Sequence, residues 1–139
     1  MSFFLENNTP KASEKKFSSN FNSNFTGKLG EFVVIICYKL MFYKIIGHRI
    51  RNFCGEIDII AERFNTIVFI EVKSRKNLNM DYQIISQNQI KRITRAADIF
   101  LNQNHALYSS HDVRFDLAIV SKLFFPKIIK NAWINDTKF

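Results

Sequence analysis

Asp58 and the triplet Glu71-Val72-Lys73 are the residues whose types and spacing could do chemistry, because both lie in runs that alternate like β-strands. The segment from Gly55 to Arg75 reads GEIDIIAERFNTIVFIEVKSR. In the second run, alternation places Ile67, Phe69, Glu71 and Lys73 on one face and Val68, Ile70 and Val72 on the other. The first run sets Glu56, Asp58, Ile60 and Glu62 against Ile57, Ile59 and Ala61. A short turn around Phe64-Asn65 makes a hairpin in which Asp58 faces Glu71 and Glu56 faces Lys73. Directly opposed Cβ atoms in such a pair lie about 4.5–5.5 Å apart. Carboxylates that close repel each other unless a cation sits between them. Mg²⁺, a hard ion that takes one or two carboxylates, fits that need, with Mn²⁺ as its substitute. Asp58, Glu71 and Lys73 are therefore expected to converge on one sheet edge, with the opposite, wholly apolar face as core. A one-residue slip would carry charge into that core, so the pattern sets its own register.

The triplet alone carries little. Acid-x-Lys also occurs at Glu14-Lys15-Lys16 and Asp136-Thr137-Lys138, both in polar terminal stretches. The strand setting and the second acid across the hairpin distinguish Glu71-Val72-Lys73. The competing structural explanation is a surface ion-pair ladder, Glu71 with Lys73 and Glu62 with Arg63, of small energetic worth.

Other elements must hold this hairpin. Thr26 suits the N-cap of a helix running to about Ile46, with Gly47 as its stop. That helix is apolar around most of its circumference, which predicts burial against a sheet. Glu31 falls in its first turn, where a carboxylate suits the macrodipole. A polar loop, Asn77 to Tyr82, leads to a second helix from about Ile84 to Asn102. Ile90, Ile93, Ala97, Phe100 and Leu101 form its apolar stripe. Lys91, Arg92 and Arg95 cluster opposite with Asn88 and Asn102. Such a face is either simply solvated or, with three cations together, suited to a phosphate backbone. Asp98 lies at its border. Val113 to Val120 reads as a third strand with Arg114 and Asp116 on one face. Residues 127–134 read as an edge strand, with Pro126 tolerated at its start.

Residues 1–25, rich in Ser, Asn and Lys, read as a mobile tail, and 26–139 as one domain. A formal charge of +8 and a pI of about 9.7 favour a polyanionic partner. Cys37 and Cys54 have neither metal-ligand spacing nor the density of a secreted scaffold, so reduced thiols are expected, Cys37 buried and Cys54 at the mouth of the first strand. His48, His105 and His111 share no ligand pattern and read as surface or loop residues. Lys39 and Lys44 interrupt the longest apolar stretch, which falls short of a membrane span, and no signal segment is visible. A cytoplasmic protein without a membrane partner is expected.

The GEIDIIA and VFIEVKSR strings, with RFDLAIV at 114–120, resemble the YraN-like family of small bacterial proteins. That family resembles the PD-(D/E)xK, or restriction-endonuclease-like, nucleases. The likeness covers about Gly27 to Trp133. It implies an α/β fold with a restriction-endonuclease-like core, a mixed sheet with flanking helices. It also implies an acid on the first helix (Glu31), a metal-binding Asp58, and Glu71 and Lys73 in the site. Relatives tend to carry Lys-Gln before an amphipathic helix; this chain has Asn88-Gln89-Ile90, which leaves a role for Gln89 open. The function implied is metal-assisted hydrolysis of phosphodiester bonds, with DNA the expected substrate. Asp58 and Glu71, with the Val72 carbonyl, would hold Mg²⁺ or Mn²⁺, and Glu31 could complete the ligand set. Lys73 would orient the attacking water, and Lys91, Arg92 and Arg95 would track the nucleic acid. The alternative is a non-catalytic nucleic-acid-binding protein that keeps the fold. Nothing in the residues separates endonuclease from exonuclease, DNA from RNA, or monomer from homodimer.

Overall fold

The computed structural model describes residues 14–75, 84–121 and 125–135, with side chains from residue 27 onward. Helix α1 spans Glu14–Leu40 and is followed by strands β1 (Lys44–Asn52), β2 (Gly55–Arg63) and β3 (Thr66–Ser74). Helix α2 (Gln87–Gln103) and the single turn α3 (His105–Tyr108) precede β4 (Asp112–Val120) and β5 (Lys127–Trp133). The five strands form one sheet in sequence order. Only β3 and β4 run parallel; the other neighbours are antiparallel. The fold is thus the expected mixed α/β sheet flanked by helices, consistent with a restriction-endonuclease-like core.

The sheet is covered on both faces. Val34 and Tyr38 of α1 pack with Ile59, Ala61, Val68, Ile70, Ala118 and Val120. Ile93, Ala96 and Ala97 of α2 pack on the other face with Ile57, Ile60, Ile67, Phe69, Phe115 and Trp133. The expectation of one core face and one charged face is therefore corrected: β3 is buried on both sides from Ile67 to Ile70. Parallel pairing with β4 places β3 in the middle, where a crossover helix covers its second face. The acids can occupy only its end.

The first helix also differs from expectation. It begins at Glu14, so Thr26 is an internal residue and part of the expected tail is helical. Residues 1–13 of that tail, and the expected loop Asn77 to Tyr82, lie outside the described residues. The helix stops at Leu40 rather than Ile46, because Phe42 turns left-handed at φ 63. Tyr43 N donates to Tyr38 O at 2.9 Å and Phe42 N to Lys39 O at 3.0 Å, the Schellman pairing. The Tyr38 and Tyr43 rings meet edge to face at 5.2 Å and supply the hydrophobic contact of that motif. Gly47, expected as the helix stop, lies instead within β1. A Cβ there would come within 2.9 Å of Ile50 Cγ1 and 3.2 Å of Ile60 Cδ1, so the close approach requires glycine.

Helix α2 starts where its chemistry places it. Ser86 accepts from Gln89 N at 3.2 Å, and Gln89 Oε1 accepts from Ser86 N at 3.3 Å. This is a capping box, and it gives Gln89 a structural role. Among the described residues, no helix is long and apolar enough to cross a membrane.

Candidate active site

The hairpin of β2 and β3 has the expected register, with Ile59 opposite Ile70, Ala61 opposite Val68, and Arg63 opposite Thr66. The paired ladder ends at Ile59, one residue before Asp58 would meet Glu71. There the Asp58 carboxylate accepts the Val72 N–H at 2.8 Å, so a side chain takes a donor from the neighbouring strand. The alternation of β2 breaks at the same residue. Ile57 joins Ile60 in the core under α2, whereas Ile59 packs under α1. The expectation that Ile57 and Ile59 share a face is corrected, and Asp58 is the pivot. The two acids meet between the central strands β2 and β3, where their ladder ends, rather than at a sheet edge.

Asp58 and Glu71 line a cleft of about 290 Å³, together with Arg49, Glu56, Gln89 and Arg92. Burial, then the charge of Glu71, pushes the Asp58 carboxyl up to about 7, while the Val72 N–H pulls it back. A carboxyl held so far above its ordinary value marks a place where a proton or a cation is favoured. Lys73 Nζ lies 2.7 Å from Glu71 Oε1, so the triplet's lysine joins the pair from the same strand. That ion pair belongs to the ladder considered from the sequence, but the ladder's other member is replaced: Glu62 pairs with His111 Nε2 at 3.0 Å. Arg63 instead lies over the rings of Tyr43 and Phe64.

Glu31 is buried, with 7% of its surface exposed, and it is fully engaged. Arg49 donates from Nε to Glu31 Oε2 at 3.0 Å and from Nη2 to Oε1 at 3.1 Å. His48 Nε2 lies 2.7 Å from Glu31 Oε2. Among the described residues, no three His, Cys, Asp or Glu side chains gather as a metal-ligand cluster. The residues that could hold a cation are the pair Asp58 and Glu71, a donor set of the kind an ion takes when it binds one or two carboxylates and completes its shell with other oxygens. Lys91, Arg92 and Arg95 are all exposed on α2, as the helical pattern predicts. Arg92 alone of the three lines the cleft.

Arg49 is a cleft residue that the sequence pattern does not single out. Arg49 stays hidden because the apolar run ending at Ile46 has the look of a continuous helix, which conceals the start of β1. Glu56, expected opposite Lys73, lines the cleft and pairs instead with Arg51 across β1 and β2 at 2.7 Å.

The model of the uncharacterised protein family UPF0102 matches residues 30–120, which contain the cleft. A UPF0102 protein of Mesorhizobium japonicum is 34% identical over 120 residues, spanning 86% of this chain and 95% of that protein. One from Ehrlichia ruminantium is 38% identical over 122 residues, with 86% and 91% covered. One from Caldicellulosiruptor saccharolyticus is 32% identical over 117 residues, with 81% and 99% covered. The chain belongs to the uncharacterised protein family UPF0102, the YraN-like family that its three strand motifs resemble.

Proposed function

We propose that this protein is a metal-dependent nuclease that hydrolyses phosphodiester bonds, with DNA its expected substrate, as in the PD-(D/E)xK superfamily. The observation that carries this reading is the meeting of Asp58 and Glu71 at a cleft that also holds Arg92, with Lys73 against Glu71. A purely structural carboxylate pair has no reason to be left facing itself beside a cleft.

Asp58 and Glu71, with the Val72 carbonyl, would hold Mg²⁺ or Mn²⁺. When bound, such an ion supplies Lewis acidity toward phosphoryl oxygens and lowers the pKa of water. Asp58 would hold the ion as a carboxylate, and the hydrogen bond from the Val72 N–H fixes the direction of that carboxylate. Lys73, held by Glu71, orients the attacking water and offsets negative charge that develops in the transition state. Arg92 at the cleft, and Lys91 and Arg95 beside it on α2, contact phosphates along the backbone. The overall charge of +8 draws the polyanion in.

A cleavage screen tests this reading. Purified protein is incubated with linear, nicked, flapped and four-way DNA and with RNA, in Mg²⁺, Mn²⁺ or EDTA. Metal-dependent cleavage that falls at least about a hundredfold in Asp58→Asn is the expected result, the scale of losing a principal charge-stabilising group. Cleavage unchanged in the variant would place the chemistry elsewhere.

One observation favours the second reading, a non-catalytic nucleic-acid-binding protein. Glu31 is occupied by His48 and Arg49, which leaves two acids rather than three. Calorimetric titration with Mn²⁺ separates the two, since only the nuclease needs a divalent-ion site that Asp58→Asn removes.

A further inference from the structure

Arg49 occupies a place that no strand pattern requires. Its backbone is left-handed, at φ 53, a conformation that strains a residue with a side chain. It lies opposite Asp58, between the paired residues His48 with Ile59 and Ile50 with Ile57, and forms no ladder pair itself. Strain of this kind persists where the surroundings over-determine it, and here the surroundings are Glu31.

The buried Glu31 carboxylate grips one edge of the guanidinium through Nε and Nη2, the two-pronged geometry that gives such pairs their directionality. A guanidinium carries five N–H donors in a fixed fork. Glu31 takes the Nε edge, and no hydrogen bond among the described residues uses Nη1. The nearest other acid, Glu56, is 3.8 Å from Nε. The arginine side chain keeps 38% exposure and lines the cleft beside Asp58 and Glu71. Arg92, from the opposite layer, lines it too. A buried acid that fixes one edge of an arginine leaves the other edge aimed and available.

We propose that Arg49 binds a phosphate of the nucleic-acid backbone in this cleft, and that Glu31 is the positioning residue that holds it, not a metal ligand. The ligand is a phosphodiester oxygen next to the bond under attack, held by Nη1 and the spare Nη2 donor. Arg49 from the sheet and Arg92 from α2 then hold the backbone from two layers, in the cleft that the acid pair also lines. The inference deepens the nuclease reading and rests on it for the identity of the ligand.

The test measures binding of a duplex oligonucleotide by fluorescence anisotropy over a salt series, with Ca²⁺ in place of Mg²⁺ and the DNA checked for integrity. Arg49→Ala should weaken binding about tenfold, the worth of a charged hydrogen bond. It should also reduce the slope of log affinity against log salt by about 0.9, one phosphate contact. Arg49→Lys, which restores charge without the fork, should recover the slope but only part of the affinity. Glu31→Gln should weaken DNA binding yet leave Mn²⁺ affinity of the DNA-free protein within about twofold, well inside the tenfold or greater loss expected of a ligand. Added to Arg49→Ala it should have no further effect on DNA binding, because it acts through that arginine. If the Glu31→Gln chain does not fold, Glu31→Asp takes its place in the same measurements.

A wild-type slope in Arg49→Ala would overturn the phosphate contact. Loss of Mn²⁺ affinity in Glu31→Gln, with DNA binding intact, would make Glu31 a ligand and overturn its positioning role. A wild-type protein that binds DNA without cutting it would sink the nuclease reading, while a flattened slope in Arg49→Ala would still uphold the phosphate contact. One that cuts DNA while every variant keeps its slope would sink the inference alone. A wild-type protein that binds no DNA would sink both.

Discussion

Asp58 and Asp116 stand in the same sheet, each at a break in strand pairing and each opposite a left-handed residue. Asp58 faces Arg49 at φ 53; Asp116 lies where β4 and β5 slip register, near Asn131 at φ 52. Each carboxylate also takes a backbone N–H from the next strand, Val72 at 2.8 Å and Asn131 at 2.9 Å. The remaining neighbours differ. Asp116 is fully buried and receives two bonds from Arg114 at 2.8 Å and one from the Tyr38 hydroxyl at 2.7 Å. Burial, then the charge and hydrogen bond of Asp116, holds the Tyr38 phenol far above its ordinary value, so it remains a donor. Among the described residues, Asp58 receives no cation of its own and looks at Glu71. One local design is closed by its neighbours into a structural lock. The other keeps a carboxyl facing a second acid, with no cation paired to it among the described residues, which is the contrast on which the proposed metal site rests.

The largest effect should come from breaking the lock. Asp116→Ala strands Arg114 in a largely buried place and removes the acceptor of Tyr38, an uncompensated charge that costs about 3–5 kcal/mol. Urea unfolding should show that loss as a lower midpoint with little change in slope. The reverse is expected at the cleft. Asp58→Asn keeps an acceptor for Val72 N–H and removes a charge that burial and then Glu71 disfavour, so the metal-free protein at pH 8 should be more stable than wild type. A loss of stability in Asp58→Asn would mean that the pair is structural and the contrast with Asp116 false.

The same contrast has a pH signature. The Asp58 carboxyl titrates near 7 in the fold and at its ordinary 3.8 when unfolded. Between those values the folded chain holds a proton that the unfolded chain has released. Stability of the metal-free protein should therefore fall as pH rises from about 4 to about 7. Asp58→Asn should lose that decline. Mn²⁺ at pH 8 should restore wild-type stability by mass action and leave the variant unchanged. Melting curves at pH 5 and pH 8, with EDTA or Mn²⁺, read all of these at once.

The register of the β2–β3 hairpin is legible because alternation and a short turn agree on it, whereas the parting of Ile57 from Ile59 at Asp58 and the second buried face of β3 depend on the covering helices. Helix α2 was legible from its apolar stripe, and β4 and β5 from runs bounded by polar residues and Pro126. The boundary between α1 and β1 was not. The run from Phe32 to Ile46 is apolar without a clear period, which leaves helix and strand indistinguishable. The usual stop signal was also missing, because Phe42 rather than glycine adopts the left-handed turn. Losing β1 meant losing Arg49, and with it the partner of Glu31. Alternation places Arg114 and Asp116 on one face, but their closure with Tyr38 and the Asn131 N–H depends on contacts far apart in sequence. Pairing across a hairpin is readable from local pattern; closure by a distant helix is not.

The smallest effect on stability belongs to the exposed face of α2, and it tests how far the cleft's electrostatics extend. Lys91 and Arg95 are exposed and lie outside the cleft lining, so replacing both with alanine should change stability by no more than about 0.5 kcal/mol. If they follow the backbone beyond the cleft, each lost phosphate contact releases one counterion fewer on binding. The salt slope of duplex binding should then flatten by up to about 1.8 for the pair. Mn²⁺ affinity should not move, because neither residue lines the cleft that holds the acid pair. Cleavage at saturating protein should persist, while cleavage at limiting protein should weaken in step with binding. Arg92→Ala, within the cleft, should instead reduce both. An unchanged slope in the Lys91 and Arg95 variant would mark them as solvated surface and confine phosphate recognition to the cleft between β1 and α2.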